Sequence, residues 1–289
     1  MNASAARPPT DRRGWLVAPA FTGIVLLFVY PFLYGVYISF SPMEGGTFWS
    51  NYQQFFATPR QLGTIWVTLE LAIPATLINV IGAIPIAYAL RHSSRWQKWV
   101  TTILVIPVTL GTVLIANGML GYFSPHGWFT QFVHWTGIYS QEVRLTHNYW
   151  SVLISLVISG FPFAFLLVLS YITGIDPVLA RAAGTLGANP WQQFRTIYLP
   201  LLMPGLTMAA SLSFVQAFSV FPSAVLLGVP AGATRVMSIA ASEAAFENYD
   251  YSMASAIAMI MGCVQLASVL LIMALRKLFY TGPVTGGKG

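Results

Sequence analysis

Eight carboxylates, four histidines and one cysteine are the groups on which catalytic or metal chemistry could rest in this 289-residue chain. His92, His126, His134 and His147 are scattered without metal-ligand spacing. Cys263 sits in an apolar run, cannot form an intrachain disulfide, and reads as a small buried thiol. No serine or cysteine has a recognisable base beside it at membrane depth, which argues against an intramembrane hydrolase. The tail from Gly282 has a Gly, four residues, then Gly287-Lys288, as in a phosphate-binding loop. It lacks the following Ser/Thr and the helix whose N-terminus would hold phosphate. No catalytic residue, metal site or bound cofactor is therefore expected. Two other constellations stand out. One is a polar segment between apolar runs, Asp176 to Pro200. The other is a set of acids, Glu44, Glu70, Glu142, Glu243, Glu247 and Asp250, of which Glu243 and Glu247 share a face if 237–247 is helical.

The elements that must position these groups are membrane spans. The chain is 56% hydrophobic and 8% charged, whereas soluble domains carry about 25% charged residues. Six apolar runs, near 14–40, 64–90, 99–123, 148–172, 201–228 and 251–276, are long enough to cross a bilayer, which takes roughly 20 residues. The first is too long for a cleaved signal sequence and reads as a retained helix. Pro31, Pro74, Pro85, Pro107, Pro162 and Pro222 fall within these runs, tolerable where neighbours re-satisfy the freed carbonyls. With the N-terminus inside, eleven of the fourteen basic residues are cytoplasmic, and only Arg60, Arg144 and Arg235 lie outside. That bias accounts for the net charge of +6 without nucleic acid as a partner. Trp15, Trp49, Trp96, Trp99, Trp128 and Trp150 cluster at span ends, as interfacial anchors do.

The segment 176–200 then lies on the cytoplasmic side. Asp176-Pro177 is a helix start, a capping oxygen followed by proline at the first helical position. Leu179, Ala182, Ala183 and Leu186 recur at helical spacing and form one apolar stripe. Gly187 fits the left-handed residue that ends such a helix, with Ala188 in the turn. Asn189-Pro190 repeats the start signal, Trp191, Phe194 and Ile197 form a second stripe, and Pro200 closes it. The pattern predicts two short helices. Their small residues would let another surface approach closely, and an amphipathic helix in a partner's groove is a recurrent mode of recognition. Amphipathicity alone fits helices lying in the lipid interface equally well or better, although Arg181 and Arg195 are few for a lipid-binding face.

The segment resembles the signature loop of permease subunits of ATP-binding cassette importers: Glu-Ala-Ala, three residues, Gly, nine residues, Ile, one residue, Leu-Pro. Arg181-Ala182-Ala183, Gly187, Ile197 and Leu199-Pro200 fall at those spacings, six of seven positions matching. The resemblance extends to the six-span layout. It implies an all-α, six-span, type I importer permease in the bacterial cytoplasmic membrane, both termini cytoplasmic. A permease domain over 14–280 would carry the coupling loop 176–200, with tails at 1–13 and 281–289. It implies that the loop seats in a cleft of an ATPase subunit. The partners implied are two ATPase copies holding ATP and Mg, a second permease chain, an extracytoplasmic solute-binding protein and membrane lipid. The departure is Arg181, where the family carries an acid. Docking is then expected to rest on packing through Ala182, Ala183 and Leu186.

Leu186-Gly187-Ala188, Leu199-Pro200-Leu201-Leu202-Met203-Pro204-Gly205 and the opening Leu27 to Leu33 resemble the first permease component of spermidine/putrescine-type systems. Sugar, iron, thiamine and phosphonate importers are the alternatives. A polyamine path should offer carboxylates and aromatic faces. The candidates are Glu70, Glu243 and Glu247, with Phe214, Gln216, Phe218, Ser219 and Phe221 on span five. For Glu70 an interface-level carboxylate is the alternative, and for the aromatic stripe, helix packing. A secondary transporter would place ion-coupling acids at mid-membrane, where they are scarce here. A structural scaffold would have no need of the docking loop.

Overall fold

The computed structural model describes residues 19, 21–43, 45–92, 94–136 and 146–279. Backbone groups in hydrocarbon must bond within their own segment, so apolar runs of this length fold as helices. In chain order these are α1 (Phe21–Ser39), α2 (Ser50–Ala57), α3 (Pro59–Ala89), α4 (Arg95–Phe123), α5 (Trp128–Trp135), α6 (Tyr149–Thr173), α7 (Pro177–Thr185), α8 (Pro190–Phe218), α9 (Pro222–Leu227), α10 (residues 237–247) and α11 (Tyr251–Phe279). Among the described residues, α1, α3, α4, α6, α8 and α11 are long and apolar enough to span a membrane. The end of the bundle carrying α7 is called the loop end, and the opposite one the far end.

Two expectations are corrected here. The fifth span does not run to 228. It ends at Phe218, and α9 starts at Pro222 after a break and packs on α4 and α6. Nor does Pro200 end the second loop helix, because α8 continues through it into the span. The reason is a widened turn. Over Phe194–Tyr198 the helix takes π geometry, and the Leu199 N–H reaches back five residues to the Phe194 carbonyl. Pro200, which has no N–H to place, follows directly. The same device precedes Pro31 in α1, over Val25–Val29. In α4 the solution is a break: Gly111 takes φ 73° and ψ 159°, four residues after Pro107.

The core lies where α3, α6 and α8 pack together, in two clusters. Leu71, Ala75, Val152, Phe214, Phe218 and Ile257 belong to the far-end cluster, and Ala83, Ala87, Phe165, Val168, Tyr198 and Leu202 to the loop-end cluster. Small residues let the backbones approach. A Cβ on Gly160 would stand 2.5 Å from Asn79 Nδ2, and one on Gly205 would stand 2.3 Å from the Tyr171 ring. Buried polar groups pair across helices. Asn79 Nδ2 donates to Ser213 Oγ at 3.3 Å, and the Ser155 and Ser223 hydroxyls meet at 2.7 Å. Gln265 Nε2 donates to Val215 O at 3.1 Å. Burial is uneven. The most apolar window of α6 is 61% buried, whereas that of α1 is 0%. Cys263 is on the outer face of α11 and exposed, not buried as its apolar run suggests.

Candidate coupling loop and solute path

Asp176 Oδ1 accepts from Val178 N at 2.8 Å and Pro177 occupies the first turn, so α7 starts as its sequence dictates. It ends at Leu186, with Gly187 at φ +87° and Ala188 N donating to Ala183 O at 3.0 Å. That left-handed residue turns the chain sharply. Asn189 and Gln192 then form a reciprocal capping box, each side chain accepting from the other's backbone N–H at 2.8 Å. Leu179, Arg181, Ala182, Leu186, Gly187 and Trp191 are exposed. Ala183, Ala188, Phe194, Ile197, Leu199 and Pro200 are half-buried. The first stripe is therefore free for a partner, Leu186 being 89% exposed, while the second turns partly inward.

Inward, the loop is pinned by residues that no motif announces. Tyr88, at the end of α3, donates its hydroxyl to Pro190 O at 3.3 Å. Its ring meets Phe194 at 4.9 Å and Tyr198 at 5.2 Å. The Arg91 guanidinium lies 4.1 Å from the Tyr88 ring and 5.5 Å from that of Tyr198, and Arg91 Nη1 donates to Tyr88 O at 2.7 Å. Cation–π contact and hydrogen bond together fix this arginine. Its one sequence signal is a basic residue just past the end of an apolar run.

The far end holds the expected path residues, and they do not converge. Phe214 and Phe218 are 2% and 0% exposed, so they pack helix against helix and present no face to a solute. Gln216 is half-buried. Ser219 is exposed and accepts from Gln265 Nε2 at 3.4 Å. Phe221 borders a groove of about 850 Å³ between α1, α10 and α11, with Tyr34, Phe246 and Tyr251. Residues 237–247 are helical, and Glu243 is half-buried in a salt bridge to Arg235 at 2.5 Å, while Glu247 is exposed. The pair cancels one acid of the expected entrance. Glu70 is exposed beside Trp66 and Tyr149 in an open pocket of about 460 Å³. Tyr149 donates its hydroxyl to Glu70 O at 2.7 Å, the carbonyl that Pro74 cannot serve for want of an N–H. Glu44 and Glu142 lie outside the described residues.

Residues 78–281 match the family described as binding-protein-dependent transport system inner membrane component. The chain belongs to this family. As one of these permeases it is a non-catalytic, multi-pass inner-membrane subunit of an ATP-binding cassette importer, working with an extracytoplasmic binding protein and a separate ATPase. The permease is 28% identical over 73% of its length to the spermidine/putrescine transport system permease protein PotB of Haemophilus influenzae, covering 76% of that protein. It is 26% identical over 80% of its length to the sulfate transport system permease protein CysT of Escherichia coli, covering 80% of that chain. Its fold is that of a chain in the crystal structure of a bacterial ABC transporter involved in the import of the acidic polysaccharide alginate. The TM-score is 0.79 at 22% identity, over 92% of this permease and 96% of that chain. A chain of the inward-facing MetNI methionine transporter aligns with TM-score 0.53 at 16% identity, over 74% of this permease and 95% of that chain. Among the described residues, no three His, Cys, Asp or Glu side chains come together as a metal set.

Proposed function

We propose that this permease faces its ATPase with α7. The exposed stripe of Leu179, Ala182 and Leu186 seats in a cleft of that subunit on the cytoplasmic side. A second permease chain pairs with this one, and two ATPase copies sit below. The observation that carries this reading is the contrast within the loop: an apolar face open to solvent on α7, followed directly by the start of α8, which Tyr88 and Arg91 hold against the end of α3. Exposed apolar area outside the membrane, on a rigid mount, is what a partner surface requires. ATP binding to the partner favours one of two conformations, and only that differential affinity can shift the spans between them. Copurification tests the docking. Leu186→Asp is expected to reduce the ATPase recovered with the tagged permease severalfold while membrane insertion is unchanged. Equal recovery would remove the stripe from the interface.

The cargo reading that fits best is the wider class of small solutes carried by binding-protein-dependent importers, including sugars, iron, thiamine and phosphonates. Polyamine import remains a second reading, supported by the Haemophilus influenzae relative and by Leu186-Gly187-Ala188. The sulfate relative matches over a larger share of both chains, and its cargo has the opposite charge. The Arg235–Glu243 pair also removes a carboxylate from the cation path. A thermal-shift screen of the cognate binding protein decides between them. Stabilisation by spermidine or putrescine alone would restore the polyamine reading.

A further inference from the structure

On α7, Pro177, Ala180, Arg181 and Gly184 recur at helical spacing and share the face opposite Leu179, Ala182 and Leu186. That face borders a pocket of about 460 Å³, whose other walls include Arg91 at the end of α3 and Gln193 and Tyr198 at the start of α8. Two guanidinium groups therefore border one small space. Arg91 is fixed by the rings of Tyr88 and Tyr198. Its Nη1 donates to Tyr88 O at 2.7 Å and its Nε is buried without a partner, so Nη2 is the donor left for the pocket. Among the described residues, Arg181 makes no hydrogen bond or ion pair. The one described carboxylate at this end, Asp176, accepts from Val178 N in its helix cap, while Arg95, Lys98 and Arg195 add further positive charge.

We infer that this pocket binds a phosphate oxyanion, carried by the headgroup of an anionic membrane lipid such as phosphatidylglycerol. Nη2 of Arg91 and the guanidinium of Arg181 are its donors, and charge-assisted bonds from guanidinium to phosphate are among the strong ones. Depth selects the lipid. The pocket lies where α3 ends and α8 enters its span, the level at which headgroups sit. Trp96 and Trp99, 75% and 65% exposed at the start of α4, mark the same end of the bundle, as interfacial anchors do. Basic pockets between spans recognise acidic headgroups through charge and shape together. The pocket face of α7 is turned away from Leu186, so a protein seated on the apolar stripe leaves this side to the membrane. The volume exceeds a phosphoglycerol group and is too small for a helix. One phosphate between Arg91 and Arg181 would tie α7 to the end of α3, a link that no side chain of the protein supplies among the described residues. The site needs no ATPase and stands apart from the docking reading.

Native mass spectrometry of the delipidated, assembled transporter tests it, with phosphatidylglycerol, phosphatidylcholine or inorganic phosphate added back. The expected result is one retained phosphatidylglycerol per copy of this chain that phosphatidylcholine does not replace. Arg181→Gln should weaken that retention about fivefold, and Arg181→Lys should keep most of it. Arg181 makes no bond within the fold, so Arg181→Gln without lipid should melt with the unsubstituted chain, which separates lost binding from misfolding. Retention unchanged by Arg181→Gln and by Arg91→Gln, or equal retention of phosphatidylcholine, would overturn the site. If inorganic phosphate binds and phosphatidylglycerol does not, the ligand is a free oxyanion and the lipid assignment fails. A carbodiimide cross-link from Arg181→Lys to an Asp or Glu of another subunit would place protein in the pocket and overturn it as well.

Discussion

Gly187 separates conformational from steric demand. A Cβ there would meet nothing within 4 Å, yet its φ of +87° strains any other residue. A β-branched residue in left-handed backbone costs about 1–2 kcal/mol or more. Gly187→Val should therefore leave the thermal stability of the bundle almost unchanged and lower ATPase stimulation by the loaded binding protein, as measured in proteoliposomes. Equal stimulation would mean that the angle between α7 and α8 does not matter. The acids at the far end divide in a similar way. Removing the charge of Glu243 leaves Arg235 without its partner, and breaking a buried ion pair costs roughly 3–5 kcal/mol. Since these side chains are 10% and 22% exposed, the lower part of that range applies. Glu243→Gln should lower the melting temperature in detergent. Glu247→Gln should not, and any fall in cation uptake with Glu247→Gln reports on the entrance alone. Caps and turn residues of this kind were legible in the sequence because Asp-Pro, Asn-Pro and Gly act locally. The Tyr88 to Pro190 hydrogen bond was not, because its partners are 102 positions apart and neither residue type signals the other.

At the scale of elements, six spans and the helical loop followed from apolar length and helix-start signals. The end of α8 did not. The run 201–228 stays apolar through Ser219, so composition cannot show that the helix stops at Phe218 and that α9 is a separate buried turn. Nor could proline alone show whether a helix stops, kinks or widens. Pro200 is carried by a π turn, Pro74 by a tyrosine of α6, and Pro107 is followed by a break at Gly111. The contact of α6 with α8 is set by Gly205. An added methyl would stand 2.3 and 2.6 Å from Tyr171 ring atoms and 2.8 Å from its Cβ. Overpacking of this sort costs about 1–3 kcal/mol. Gly205→Ala should depress the melting temperature, and Tyr171→Ala in the same chain should recover part of the loss. An unchanged melting temperature for Gly205→Ala would mean that the two helices separate freely at this level.

For the whole molecule, the distribution of basic residues sets the orientation to be tested. In a Cys263→Ser background, Leu186→Cys should react with a membrane-impermeant maleimide in inside-out vesicles and not in intact spheroplasts. Labelling of spheroplasts would invert the topology. Cys263 must be replaced first because it is exposed on α11. α1 buries none of its apolar window, so lipid or a second chain must cover it. The continuity of α8 has a mechanical consequence. From Pro190 to Phe218 it is one rod of 29 residues, about 43 Å at 1.5 Å per residue. Pivoting about its middle by about 5° would carry each tip roughly 2 Å in opposite directions. A displacement of the loop would thus be carried along one continuous helix to Ser219 at the far end, with no relay of side chains between them.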